Sequence, residues 1–353
     1  MGSRGIVYMA GMAVGMAFAL WPAAAVGQSS PSPKTIPAGK SVVVHSAPKA
    51  KWTPPRAPDG HPDLQGVWTN NTATPLERPN GLGAKEFYTE LELAERQKKE
   101  SERLKLNEEE GRPTESGTAA DVHYDFSQFG LDRAQAKMVW NLRTSIITGP
   151  EGRIPPTTPE ARQRIAAMAA RNKGHEFDGP ENRPLSARCI NQASVGPPRL
   201  PSGYNSNLQI VQAPGYIVIE TEMIHDARVV AVDGRPHLAP NIRQYLGDSI
   251  GHWEGNTLVI DTTNFTDLTP FPGAENLHVI ERLTPVDPDT ILYQFTVEDP
   301  GMWTKPWSGE LALTRQQGQI YEYACHEANY GLANTLSGAR VAEQEAAAAK
   351  KGD

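Results

Sequence analysis

Cysteine is almost missing from this chain: Cys189 and Cys325 are the two it has in 353 residues. So few thiols exclude a cysteine-rich zinc module or an iron–sulfur centre, and no histidine or carboxylate spacing takes their place. The His326-Glu327 pair lacks the second histidine of a zinc-binding helix, so no metal and no cofactor is expected. A surplus of positive charge is missing as well. With 34 Lys and Arg against 41 Asp and Glu, a formal charge of -7 gives no sign of a basic face, which removes nucleic acid from the expected partners. Phosphate-cradling glycine loops are absent, and the serines, Ser202-Gly203 among them, lack a nucleophile elbow.

Long apolar runs are missing outside one place. Ile6 to Leu20 is apolar, follows Arg4, and precedes Trp21-Pro22 and the small residues Ala23-Ala24-Ala25-Val26-Gly27, which is the order of a secretory leader. At about 15 residues it falls short of the roughly 20 that a bilayer span requires. The expectation is cleavage after Gly27 and a periplasmic or secreted protein with no stable membrane insertion. In an oxidising compartment two cysteines read most economically as one Cys189–Cys325 disulfide, with two buried free thiols as the alternative.

What the chain has in quantity is proline (30) and glycine (31), which favours turns and extended connections over long helices. Residues 28–60, rich in Ser, Pro, Lys and Ala, read as a disordered tether. Residues 61–203 read as an irregular, partly helical wrap that contains a first strand over Leu64–Thr69. A helix is expected over Ala84–Glu110, with Phe87, Leu91 and Ala94 as its apolar stripe. Leu131–Arg143 is a short helix or a strand. Another helix is capped by Thr158 with Pro159 in its first position and ends near Lys173-Gly174, with Ile165 and Met168 on its buried side. The irregular Gly179–Gly203 stretch is expected to wrap over the surface of the strand-rich half, held by Cys189.

Residues 204–330 are a succession of strands, and residues 331–353 a C-terminal helix and tail. The most legible piece is a hairpin, Ile250–Trp253 and Thr257–Phe265 around Glu254-Gly255-Asn256. Its period of two puts Leu258, Ile260 and Thr262 on one face and Val259, Asp261 and Phe265 on the other. Further strands are expected at Leu208–Val211, Tyr216–Met223, Arg228–Val232, His278–Thr284, Thr290–Glu298, Trp307–Thr314 and Gln319–Cys325. Neighbouring antiparallel strands joined by short turns, without alternating helices, predict a mainly β fold: an antiparallel lipocalin-like β-barrel, or a sandwich, with an N-terminal irregular and helical wrapping region and a short C-terminal helix.

The stretches PDGHPDLQGVWTNNTATPLERP, RTSIITGPEGRIPPTTPEARQR, VQAPGYIVIETEMIHDARVVAVDGRPHL, QYLGDSIGHWEGNTLVIDTTNF and YEYACHEANYGLANTLSGAR together resemble a family of exported bacterial proteins, over nearly all of Pro54 to Arg340. That resemblance implies export and carries no catalytic residues. Gly66-Val67-Trp68 resembles the Gly-x-Trp of the first strand of lipocalin-like barrels, although about 140 residues separate it from the main run of strands.

Chemistry is expected where polar residues are densest. Glu220 and Glu222 share a strand face with Tyr216, and His225, Asp226, Arg228, Arg235 and His237 come next in the chain; a histidine among carboxylates and arginines is what acid–base work needs. The candidate catalytic group is His225, Asp226, Glu222 and Arg228, with Arg228, Arg243 and Arg282 as basic partners for the glutamates; the bland alternative is an ion-pair network at a barrel rim. Candidate ligand-binding residues are Tyr216, Trp253, His252, His278, Arg282 and Tyr323, lining a cavity or packing the core. Strand alternation places His278 and Arg282 on one face and Glu281 on the other. Two functions are expected: a cofactor-independent lyase or isomerase acting on a small apolar or aromatic molecule, or a non-catalytic carrier of such a ligand.

Overall fold

Period-two alternation, legible in single strands, runs around a complete ring. The computed structural model describes residues 52–96, 98–99, 102, 141–202, 204–268, 276–327 and 329–352. The leader, the tether up to residue 51 and most of the Leu131–Arg143 element lie outside the described residues. Nine strands form a closed barrel in sequence order: β1 (Gly66–Thr69), β2 (Asn207–Ala213), β3 (Tyr216–Thr221), β4 (Asp226–Ala231), β5 (Asp248–Glu254), β6 (Thr257–Thr263), β7 (His278–Asp287), β8 (Thr290–Glu298) and β9 (Trp307–Arg315). The expected hairpin is β5–β6, with Ile250 opposite Asp261 and Trp253 opposite Leu258.

The inward row of each strand is apolar. Ile217 and Ile219 on β3, Leu258 and Ile260 on β6, Val279 and Leu283 on β7, and Ile291, Phe295 and Val297 on β8 are all buried. Each such side chain contributes about 1.5–3 kcal/mol of burial free energy, so closure of the ring around them is the main stabilising term. Gly309 on β9 leaves room for the Phe295 ring, which also meets Trp307 edge-on at 5.8 Å.

Closure is accomplished by β1. It pairs with β2 (Trp68 opposite Leu208) and with β9 (Thr69 opposite Thr314), so the strand separated from the rest by the wrap fills the last gap. Arg315 lies 4.2 Å over the Trp68 ring, and a β-carbon at Gly66 would come within 2.5 Å of the Arg315 guanidinium. Only glycine fits there. Because β1 occupies the free edge of β9, the strand expected over Gln319–Cys325 does not form, and that stretch is irregular.

One junction departs from the antiparallel expectation. β4 and β5 are parallel, with Val230 opposite Ser249, so residues 232–247 must return along the barrel before β5 begins. A connection of this length permits what a two-residue turn forbids.

Two helical expectations are corrected. α1 (Pro159–Asn172) is capped by Thr158, whose Oγ1 accepts from Ala161 N at 3.0 Å, and it meets the β8–β9 connection through its N-terminal half, where Arg164 Nη2 donates to Gly301 O at 3.3 Å. Thr158 N donates to Met302 O, Ala161 is buried, and Ile165 and Met168 are about half exposed. Residues 90–96 are helical as expected, yet the start is at Thr89 rather than Ala84. Thr89 and Glu92 form a reciprocal capping box, Thr89 N to Glu92 Oε2 at 2.8 Å and Glu92 N to Thr89 Oγ1 at 3.2 Å, and Leu91 is exposed. The C-terminal helix α2 spans Tyr330–Gly352. No described helix is long and apolar enough to cross a membrane.

Candidate functional site

The irregular segment 189–206 lies across one end of the barrel as a strap. Cys189 and Cys325 form the disulfide, S–S 2.01 Å, which anchors its first residue to the irregular segment after β9 rather than to a final strand. Arg199 anchors its other half. The Arg199 backbone N donates to Tyr293 Oη at 2.8 Å, Nη1 to Ser194 O at 3.2 Å, and Nη2 to Ser206 O and Asn207 O at 2.9 and 3.1 Å. Burial pulls this guanidinium down to about 10.

Beneath it, the barrel interior holds a charged group among apolar side chains. Tyr293 Oη donates to Glu281 Oε1 at 2.7 Å, and Arg228 grips the same carboxylate with both terminal nitrogens, Nη2 at 2.9 Å from Oε1 and Nη1 against Oε2. Glu281 has no exposed surface. Burial works against the Arg228 charge, but Glu281 more than offsets it and raises the guanidinium above its ordinary value. Burial, reinforced by the Glu281 charge, pushes the Tyr293 phenol well up. A bidentate arginine with a third donor on the carboxylate is the arrangement a buried charge requires.

Between strap and barrel end is a cavity of about 340 Å3. Gln192, Ser194, Ser202 and Tyr204 form its polar wall, and Ala193, Leu200, Pro201 and Met223 its apolar wall. Met223 comes from the turn after β3, where Ile224 (φ 63°) and His225 (φ 57°) are both left-handed. A β-branched residue there is strained by about 1–3 kcal/mol. The turn is held by Glu222 N donating to Asn207 O at 3.0 Å and by Thr221 Oγ1 donating to Met223 O at 3.0 Å.

Around this end, polar atoms are buried with no hydrogen-bond partner in the protein: Asn191 Nδ2, Gln192 Oε1, Ser194 Oγ, Arg199 Nε and Glu222 Oε2. Asn70, whose backbone N donates to Ser206 O at 3.4 Å, adds both atoms of its amide. Each such group costs about 1–3 kcal/mol if left unmet. Gln192 and Ser194 line the cavity, while Asn191, Arg199 and Glu222 are chain neighbours of residues that do. Elsewhere the unmet atoms of Tyr88, Arg143 and Trp253 are scattered.

No family model, curated protein or solved structure matches the chain.

The four candidate catalytic residues do not form one constellation. Glu222 is buried at the strap, beside the Arg199 charge, whereas His225 points outward and its Nε2 is 3.2 Å from Glu220 Oε1. Arg228 is committed to Glu281, and Asp226 Oδ1 accepts from Ala227 N at 2.9 Å while burial raises its carboxyl. Of the three arginines expected to serve the glutamates, Arg228 takes Glu281, Arg282 takes exposed Glu254 at 2.8 Å, and Arg243 donates to Phe265 O at 2.9 Å. Among the ligand-binding candidates only Tyr323 reaches the cavity region, through its hydrogen bond to Tyr204; burial and that bond push it up to about 12. Tyr216 is exposed under Arg235, His252 pairs with Glu254 at 3.3 Å, and Trp253 stacks on His61 at 4.9 Å.

His278 joins a second cluster, on the outer face. His237, from the 232–247 return segment, bridges Asp248 Oδ2 (Nδ1, 2.8 Å) and Asp261 Oδ1 (Nε2, 3.1 Å). His278 bridges the same Asp261 oxygen (Nε2, 2.9 Å) and Glu298 Oε2 (Nδ1, 3.3 Å). All three acceptors are carboxylates, so each ring donates through both nitrogens when protonated. Hydrogen bonds to Asp261 outweigh burial and raise both imidazoles. Burial raises Asp261, but its two histidines dominate and hold it well below the usual carboxylate range. Among the described residues no group of three or more His, Cys, Asp or Glu side chains is arranged to hold a metal ion. The cluster's evident work is to fasten the return segment to β5, β6 and β7.

Arg199, Asn191 and Ser194 were not among the sequence candidates. Nothing in an aperiodic, proline-rich stretch marks them. Glu281 had a signal, a lone charge in the apolar row Val279, Leu283.

Proposed function

We propose that the protein is an exported, cofactor-independent enzyme that binds a small organic molecule in the strap-covered cavity and uses Glu222 to move a proton. The observation that carries this is the Glu222 carboxylate: buried, with Oε2 unpartnered, and next in the chain to Met223 of the cavity's apolar wall. A carboxylate kept from water and from full pairing is a suitable general base. Arg199 Nε and Asn191 Nδ2 are unmet donors for the oxygen on which charge develops when a carbon acid loses its proton. Hydration, elimination and isomerisation all share that step. The disulfide and the leader-like N-terminus support the exported setting.

A second reading, a carrier that holds its ligand unchanged, is favoured by the apolar share of the lining, Ala193, Leu200, Pro201 and Met223. Proton NMR in D2O separates the two. With 2-hydroxyacetophenone as the probe, the enzyme should speed exchange of the protons next to the carbonyl, and Glu222→Gln should abolish the acceleration while binding persists. Binding without accelerated exchange in the wild type leaves the carrier; equal exchange by both proteins removes Glu222 from the role.

A further inference from the structure

Four charges with little or no exposure lie at and beneath the strap: Arg199 and Arg228 are positive, Glu222 and Glu281 negative. They cancel. Arg199 is acted on by both Arg228 and Glu222, so this is one electrostatic group rather than two independent pairs. A carboxylate or an ammonium docking beside it finds no opposite net charge to pair with and still gives up part of its hydration, which is a net cost. The unmet atoms, in contrast, are of both kinds. Asn191 Nδ2 and Arg199 Nε are donors, Gln192 Oε1 and Glu222 Oε2 are acceptors, and Ser194 Oγ is either. Asn191, Arg199 and Glu222 are each more than nine-tenths buried, so the bulk solvent does not serve them.

We infer that the cavity takes an uncharged molecule whose polar end presents a hydrogen-bond donor and an acceptor side by side, as a primary carboxamide does, with an apolar body of about the size of one ring. This rests on the reading of the cavity as a ligand site, and it names the ligand chemistry. Donor and acceptor together answer Gln192 Oε1 and Ser194 Oγ, the unmet atoms on the lining itself, without adding charge. The apolar body meets Leu200, Pro201 and Met223, and about 340 Å3 lies at the small end of ligand pockets, roughly 300–1,000 Å3. A ligand with acceptors alone would leave Gln192 Oε1 facing a like partner.

Three molecules of one shape test it: benzamide, benzoate and benzamidine, titrated by calorimetry into the full-length wild type and into Ser202→Trp, which fills the cavity from its lining. Benzamide should bind saturably, with benzoate and benzamidine at least tenfold weaker, and Ser202→Trp should abolish the binding. In Glu222→Gln the buried group carries one net positive charge, and benzoate should overtake benzamide. If Glu222→Gln fails to fold, the wild-type ranking decides alone. Benzoate or benzamidine binding the wild type as tightly as benzamide, and lost in Ser202→Trp, overturns the ligand class while the cavity remains the site. No saturable binding of any of the three, or binding indifferent to Ser202→Trp, overturns the class and the cavity reading together.

Discussion

Glu281 and Asp261 lie on neighbouring strands, one residue out of register, and they meet opposite environments. Glu281 faces the barrel interior with no exposed surface and is gripped by an arginine and a tyrosine. Asp261 faces outward, its side chain 37% exposed, between two histidines. The difference lies in how permanent the partner's charge must be. Inside, a partner that could lose its proton would strand a carboxylate among apolar side chains, so only a guanidinium serves. Outside, water softens that penalty, and a titratable partner is tolerated.

The largest expected effect breaks the inner group. Glu281→Ala leaves Arg228 buried and unpaired and should cost about 3–5 kcal/mol in urea unfolding, whereas Asp261→Asn should cost about 1 kcal/mol or less. Equal losses would erase the distinction between the faces. Next, replacing Cys189 and Cys325 by alanine removes the strap's covalent anchor, which belongs to the inner side alone. A stability loss of about 2–4 kcal/mol is expected, with faster amide exchange at residues 190–204 and unchanged exchange in the 232–247 segment.

A smaller, pH-dependent effect should appear on the outer face alone. His237 and His278 titrate above the ordinary histidine value when folded. Their contribution is therefore fully present below about pH 6.5 and is lost as pH rises through the raised folded values. Asp261 is shifted down, so its contribution is present above the unfolded carboxylate value of about 4 and lost as pH falls toward its low folded value. Imidazole resonances followed by NMR should give elevated midpoints in the wild type and lower ones in Asp261→Asn; midpoints at the ordinary value in the wild type would remove the outer coupling. Smallest of all, Arg282→Ala breaks an exposed pair with Glu254 and should change stability by about 0.5 kcal/mol or less, measured in the same urea titration.

How much of this was legible varies by element. The β5–β6 hairpin, the Thr158 cap, the two faces of β6 and the opposite placing of His278 and Glu281 could all be read from residues a few positions apart. Gln319–Cys325 looked strand-like and is not one, because β1 had taken the edge it would have paired with. Ile165 and Met168 were expected to be buried by helical spacing and are about half exposed, because the contacts of α1 with the barrel's loops lie between Thr158 and Arg164.

Backbone periodicity, hydrophobic alternation and capping chemistry act over a few residues, so the sequence by itself determined that this is a mainly β chain with inward apolar rows and two cysteines able to pair. Ring closure by Gly66–Thr69, the parallel β4–β5 pair, the reach of Glu222's charge to Arg199 and the meeting of His237 with Asp261 are set by the tertiary fold. Those meetings depend on barrel closure and stagger, which bring together groups from different strands and loops; no local pattern of charge or hydrophobicity records which distant group will arrive.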